Sequence, residues 1–336
     1  MRRFLILILI IIFFLSSCEK TYFNEKSDSP EYIFECFWKE VDRNFSFFSY
    51  LNLNWDSVHN AYKQKINPNT SSQRLMQILG EMTKLLKDGH SDLFTTYGTI
   101  SYSDWYTNFP INQLTNIRSY FEYYKNYSGN IYYGKIKSAN LGYIYIKTFD
   151  GDTSKYIVIN EILTEFGSTD GIIIDVRSNG GGNSINGTTI SKRFADSTRY
   201  VFKYRFRNGP NHNDFDPWTE CYLKPGGKVR YNKPVAVLTN RKCYSATGWF
   251  LLEMASLPQV KIIGDTTGGG SAQPVVRELP NGWILRTSNS QRLNLQGRDD
   301  QYTGLYPDIP VWISTQDAME GIDTILERAI EELTKK

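Results

Sequence analysis

Histidine is scarce in this chain. Three occur among 336 residues: His59, His90 and His212. Cysteine is nearly as rare, at Cys18, Cys36, Cys221 and Cys243. Neither number nor spacing fits a metal cage, which needs clustered thiolate and imidazole ligands. No metal and no cofactor are expected. Without Cys18, which has a separate role argued below, the remaining cysteines are odd in number, so this is not a disulfide scaffold. Charge of one sign is also lacking. The net charge is +3, with no basic stripe of the kind that tracks phosphates. Nucleic-acid binding is therefore discounted. There is no internal repeat and no low-complexity tract. The amino-terminal apolar run, Phe4 to Leu15, has twelve residues, too few to span a bilayer comfortably.

That run is informative for what surrounds it. Arg2 and Arg3 precede it, and Leu15-Ser-Ser-Cys18 follows. A basic start, a short apolar stretch and this ending look like a bacterial lipoprotein signal. Residues 1–17 then form the signal peptide, and Cys18 becomes the lipidated first residue. Acyl chains hold such a protein at a membrane. The expected location is the bacterial cell envelope, lipid-anchored, on a periplasmic or outer-surface face. Residues 18–30 are polar and read as a flexible tether.

The rest has the composition of a globular protein, 40% hydrophobic and 15% aromatic. Ile33, Phe34, Phe37, Trp38 and Val41 recur at helical spacing, as do Leu75, Ile78, Leu79, Met82 and Leu86. Glu31 to Ser91 is therefore expected to be mostly helical. Leu93 to Gly129 has few clear periods. From Asn130 strands dominate, at Ile131 to Ile136 and Leu141 to Ile146. A helix from about Lys155 to Phe166 leads to a strand at Gly171, and an amphipathic helix, Ala318 to Leu333, closes the chain. Strands alternating with helices argue a mixed α/β core preceded by a helical domain.

Three segments carry chemistry. Val235 to Thr239 is a short apolar run with β-branched residues, hence a buried strand, and Ala246 to Ala255 reads as a helix. Ser245 falls on the turn between them. A serine there is either a helix N-cap or a nucleophile exposed on a sharp turn. Gly171 to Val176 is a second buried strand, ending in Arg177-Ser-Asn-Gly-Gly-Gly-Asn183. Successive glycines let backbone amides approach an anion, or simply make a tight turn. The third segment is Leu85-Leu-Lys-Asp-Gly-His90-Ser-Asp-Leu93. A lone histidine is usually structural; beside an activated serine it is a candidate base.

Together these segments resemble the S41 serine peptidases, the carboxy-terminal processing and tricorn-type proteases. Asp175-Val-Arg-Ser-Asn-Gly-Gly-Gly resembles their Asp-x-Arg-x-Asn-x-Gly-Gly signature. Ser245-Ala-Thr-Gly-Trp-Phe resembles their nucleophile turn, and Gly264-Asp-Thr-Thr-Gly-Gly-Gly-Ser-Ala-Gln273 the loop after the next strand. Gly304-Leu-Tyr-Pro-Asp-Ile-Pro-Val311 resembles their closing segment. The order is the family's, from about Glu31 to Val311. The resemblance implies a ClpP/crotonase-like core over 130–336, a tricorn-type helical domain over 31–100, and a connecting segment, 101–129, too short for a PDZ insert.

The same resemblance implies a mechanism. The processing proteases carry a lysine base immediately before Gly-Ser-x-Gln, where this chain has Gly269. Lys242 and Lys261 are not expected to replace it. The tricorn-type branch uses a histidine from its helical segment, and His90 falls there. Ser245 is then the nucleophile, His90 the general base, and the amides of Gly181, Gly182 and Ala246 the oxyanion donors. Two departures stand out. The branch has a serine before its histidine, where this chain has Gly89. It also has a glutamate before the closing segment, where counting back gives Gln301, or Thr303 if there is a gap. Asp300 or Asp299 is expected to orient His90 instead. The expected function is a membrane-anchored peptidase acting on peptides or proteins. The alternatives are a non-catalytic binding protein using the same cleft for a peptide or hydrophobic ligand, and a crotonase-type acyl-transfer enzyme. The export signal argues against the latter.

Overall fold

The computed structural model describes residues 28–335. Cys18 and the signal segment lie outside the described residues. Three helices longer than a single turn come first among the described residues: α1 (Pro30–Asn44), α2 (Trp55–Lys63) and α3 (Ser72–Leu85). Ser29, Asn54 and Ser71 cap them with side-chain oxygens, satisfying amides that have no intrahelical partner. A hairpin follows, β1 (Asp92–Thr95) and β2 (Gly98–Ile100), then a single turn, α4 (Asp104–Thr107).

The larger half is built on β3 (Phe121–Asn126), β4 (Ile131–Ile136), β5 (Leu141–Ile146), helix α5 (Ile159–Glu165) and β6 (Gly171–Asp175). Next come α6 (Ser184–Ser191), β7 (Arg199–Phe206), β8 (Thr219–Leu223), β9 (Val235–Thr239), α7 (Ala246–Ala255) and β10 (Val260–Gly264). The chain closes with β11 (Pro274–Glu278), β12 (Ile284–Ser288), β13 (Ser290–Leu293), β14 (Ile309–Pro310) and α8 (Thr324–Thr334).

One seven-stranded sheet runs β14-β10-β9-β6-β5-β4-β3. Its β14 to β5 side is parallel, and β4 and β3 are antiparallel. The parallel strands β6 and β9 are buried at every residue, which is why they read as unbroken apolar runs rather than alternations. Ile172 and Ile174 face one core with Phe250 of α7; Ile173 faces the other with Ile325 and Ile330 of α8. The α/β expectation is met.

The core of the amino-terminal helices draws on the far end of the chain. Phe37, Leu79 and Met82 pack with Leu279, Trp283 and Leu285 from the far end of the chain. β1 pairs with β12, Asp92 opposite Arg286, in the sheet β11-β12-β1-β2. Helix was expected through Ser91, but it stops at Leu85, and Lys87 turns the chain at φ 49°. The closing helix is also interrupted: Gly321 adopts φ 73° and ends a first piece, Thr315–Glu320, before Asp323 caps α8. The expected helix from Lys155 to Phe166 is likewise two pieces, Ser154–Ile157 and α5.

Candidate active site

Ser245 leaves β9 through a five-residue loop and starts α7. Its backbone is at φ 58°, ψ −121°, a region that L-residues enter only under constraint. The constraint is visible on both sides. The Ser245 amide donates to Gly269 O at 3.2 Å, and the Tyr244 amide to Asn179 O at 3.1 Å. Its side chain makes no cap bond to α7. The N-cap alternative is therefore excluded by geometry, and the hydroxyl is left for another partner.

That partner is His90. Its Nε2 lies 2.9 Å from Ser245 Oγ, across 155 positions of sequence. With the ring proton on Nδ1, the hydroxyl donates to Nε2, the arrangement a general base needs. Burial pushes the His90 pKa down to about 4, opposed by the negative charge of Asp88 and assisted by Arg286 and Arg292. The imidazole is neutral at neutral pH. Tyr244 packs on it at 4.9 Å between centroids, and Trp105 of α4 stacks on Tyr244 at 4.0 Å.

Asp300 does not orient His90. Its Oδ2 accepts from Arg292 Nη2 at 2.7 Å. Asp299 accepts from Ser271 Oγ at 2.6 Å and from the Gln301 amide at 2.9 Å. Burial, with Asp300 beside it, raises its pKa to about 6. The carboxylate turned toward the histidine segment is Asp88, two residues before it. Asp88 Oδ1 accepts from the His90 amide at 3.0 Å and from Gln301 Nε2 at 2.8 Å, and Oδ2 accepts from Ser91 Oγ at 2.6 Å. Gln301 Oε1 is spent on the Ala272 amide at 2.9 Å. His90 Nδ1 has no hydrogen-bond acceptor among the described residues. Sequence comparison counted back from the closing segment and missed Asp88, although Asp88-Gly-His90-Ser91 is a local turn in plain view.

The oxyanion donors also need correcting. The Gly181 amide donates to Asn179 Oδ1 at 3.0 Å, so it is already engaged. Gly182 and Ala246 line a cavity of about 250 Å³ beside Ser245. Their amides make no hydrogen bond among the described residues. Gly181 matters for space: at φ +105°, a Cβ there would sit 2.8 Å from Ser245 Cβ and 2.9 Å from the Ala246 nitrogen.

The position where the processing proteases carry their lysine is closed to any side chain. Gly269 adopts φ +88°, and a Cβ there would lie 2.3 Å from Gln301 O. Lys242 extends over the Tyr106 ring, 5.1 Å away, and Lys261 is exposed on β10. The missing serine at Gly89 has a physical cause as well. A Cβ on Gly89 would lie 2.5 Å from Trp105 Nε1 and 2.8 Å from the Tyr244 hydroxyl. The signature Asp175 and Arg177 are structural: Arg177 bonds Asp175 at 2.7 Å and Asp323 at 2.8 Å, tying β6 to the cap of α8. Among the described residues no group of acidic, histidine and cysteine side chains could hold a metal ion.

The profile of peptidase family S41 matches residues 140–311, and that of the tricorn protease C1 domain matches residues 27–84. A carboxy-terminal processing protease of Bacillus subtilis is 24% identical over 177 residues, 53% of this chain. The chain spans only about a third of that relative's length, 36%. A solved structure of a putative peptidase from Parabacteroides merdae superposes with TM-score 0.85 at 35% identity, over 92% of this chain and 98% of that one. The tricorn protease structure shares the fold at TM-score 0.59 and 17% identity, over 92% of this chain and 37% of its own.

Proposed function

Because the chain belongs to peptidase family S41, a family of serine-type peptide hydrolases, we propose that it hydrolyses peptide bonds by a Ser245/His90 acyl-enzyme mechanism. The observation that carries this reading is the 2.9 Å contact between His90 Nε2 and Ser245 Oγ. A serine hydroxyl becomes nucleophilic when an adjacent base accepts its proton. Oγ attacks the scissile carbonyl as Nε2 takes that proton. The oxyanion is received by the free amides of Gly182 and Ala246, the latter at the positive end of α7. The imidazolium then protonates the leaving amine, and water repeats the sequence to release the acyl group. Asp88 is the positioning acid. It anchors the His90 backbone, and its charge stabilises the imidazolium formed in the transition state. We further propose that lipidation of Cys18 holds the enzyme at the bacterial envelope.

A fluorophosphonate probe tests the mechanism. Wild type is expected to take one label per chain, and Ser245→Ala none. His90→Gln is expected to label far more slowly, since it has no base. Equal labelling of His90→Gln and wild type sinks the Ser/His mechanism; no labelling of wild type points to a binding protein instead. For the anchor, Cys18→Ala is expected to lose incorporated radiolabelled palmitate and become soluble. A variant that stays labelled and membrane-bound rejects lipidation at Cys18.

A further inference from the structure

We propose that the cavity beside Ser245 selects a carboxylate on the substrate through Arg292. This rests on the peptidase reading above and adds the class of substrate to it. Apart from the nucleophile, the cavity is lined by glycine, small polar and apolar residues, and by one charged side chain, Arg292. That side chain comes from β13 and is 1% exposed. It lies against the first turn of α7, where a Cβ on Gly248 would sit 3.1 Å from Nη2.

The guanidinium is incompletely used. Nη2 donates to Asp300 Oδ2 at 2.7 Å. Arg292 Nε, buried, has no acceptor among the described residues, and Asp300 Oδ1 has no donor. The ion pair is therefore a single contact rather than a fork. Asp300 does not share the cavity. It lines a different cavity, beside Asp299 and Tyr306, and not the one at Ser245. Asp299 meets the Arg292 backbone amide, not its side chain. An arginine presents planar donors that match a carboxylate two at a time. An unpaired buried donor costs free energy that a ligand oxygen can recover. The positive end of α7 favours the same charge. Trp249, Ala272 and Pro274 supply apolar wall, which suits the methylenes of a glutamate. The carboxylate has two possible sources, an acidic side chain near the scissile bond or the substrate's own chain terminus.

The test uses the full chain and internally quenched peptides. One Glu is walked through a neutral sequence, with a Gln partner for each position, every peptide made both as free acid and as terminal amide. Products are mapped by mass. Wild type is expected to cleave at one fixed register from Glu with kcat/KM at least about 10-fold above the Gln partner. A cut that instead follows the chain end and disappears on amidation assigns the carboxylate to the terminus. Arg292→Gln leaves Asp300 buried and uncompensated, so Arg292→Gln combined with Asp300→Asn is measured beside it. In the double variant the Glu-to-Gln ratio, or the acid-to-amide ratio, is expected to fall to about one. Each ratio is internal to one enzyme, so a general loss of activity does not imitate the result. Equal cleavage of charged and neutral peptides by wild type overturns the inference, as does a preference that survives in the double variant. A wild type that takes the fluorophosphonate but shows no preference refutes the carboxylate alone. One that neither takes the probe nor cuts any peptide refutes the peptidase reading beneath it.

Discussion

In the proposed mechanism His90 and Asp88 divide between them what a base needs. Burial holds the imidazole neutral by lowering its pKa from the ordinary 6.5 to about 4. Ionisation of the free enzyme's base sets the acid limb of kcat/KM. The group is lowered, so the neutral form persists as pH falls through 6.5 and is lost near 4. The acid limb is therefore expected near pH 4, measured with a neutral substrate; a limb at pH 6.5 contradicts the burial argument. In the proposed mechanism Asp88 supplies the charge that offsets desolvation in the transition state. Asp88→Asn keeps the shape and removes the charge. It is expected to lower kcat about 10²-fold with KM nearly unchanged. A drop in KM affinity with kcat intact would mean that Asp88 only shapes the loop.

At the scale of elements, the nucleophile turn is held by what crowds it. Gly181 leaves no room for a side chain against Ser245 and Ala246, and its φ of +105° disfavours every other residue. Gly181→Ala is expected to slow fluorophosphonate labelling by more than about 10²-fold, because the Ala246 donor is displaced; a variant that labels at the wild-type rate removes the crowding argument. Helix α7 carries a second dependence. Glu253 is buried and accepts from Thr188 at 2.6 Å and Ser191 at 2.5 Å on α6. Burial raises its pKa from 4.5 to about 7. A carboxylate raised in the folded state contributes stability below its unfolded pKa and loses it as pH rises through the folded one. Glu253→Gln is accordingly expected to raise Tm more at pH 8 than at pH 5. Equal shifts at the two pH values would show that Glu253 does not titrate in this window.

On the scale of the whole molecule, the site is made by two distant stretches meeting. His90 follows α3, Ser245 precedes α7, and α1 and α3 share a core with β12. Leu285 of β12 is fully buried in that shared core, far from any catalytic atom in sequence. Leu285→Ala is expected to cost about 2–5 kcal/mol in urea unfolding. It is also expected to slow labelling, since it loosens the elements that carry His90. A stability loss with an unchanged labelling rate would show that the helical segment docks rigidly without β12.

Much of this was legible in the chain because its signals are local. The runs Gly171 to Val176 and Val235 to Thr239 are apolar throughout, as strands buried on both faces must be. The turn at Ser245 lies where an apolar strand gives way to a helix, and His90 is conspicuous because histidine is scarce. Helix ends were legible less well, since Lys87 and Gly321 act through backbone torsions that composition does not announce. Direction is what the tertiary structure alone decided. The resemblance points to Asp300 or Asp299 as the acid and does not single out Asp88. Residue counting cannot tell that Asp300 turns to Arg292 while Asp88 turns to the His90 loop. The Gly181 amide reads as a free donor until Asn179 is seen to occupy it. Arg292 carries no motif, and its place at the cavity follows from a strand pairing, β13 with β7, between segments more than eighty residues apart. Local chemistry sets which residues can act. Long-range packing sets which way they face, and therefore which of them do.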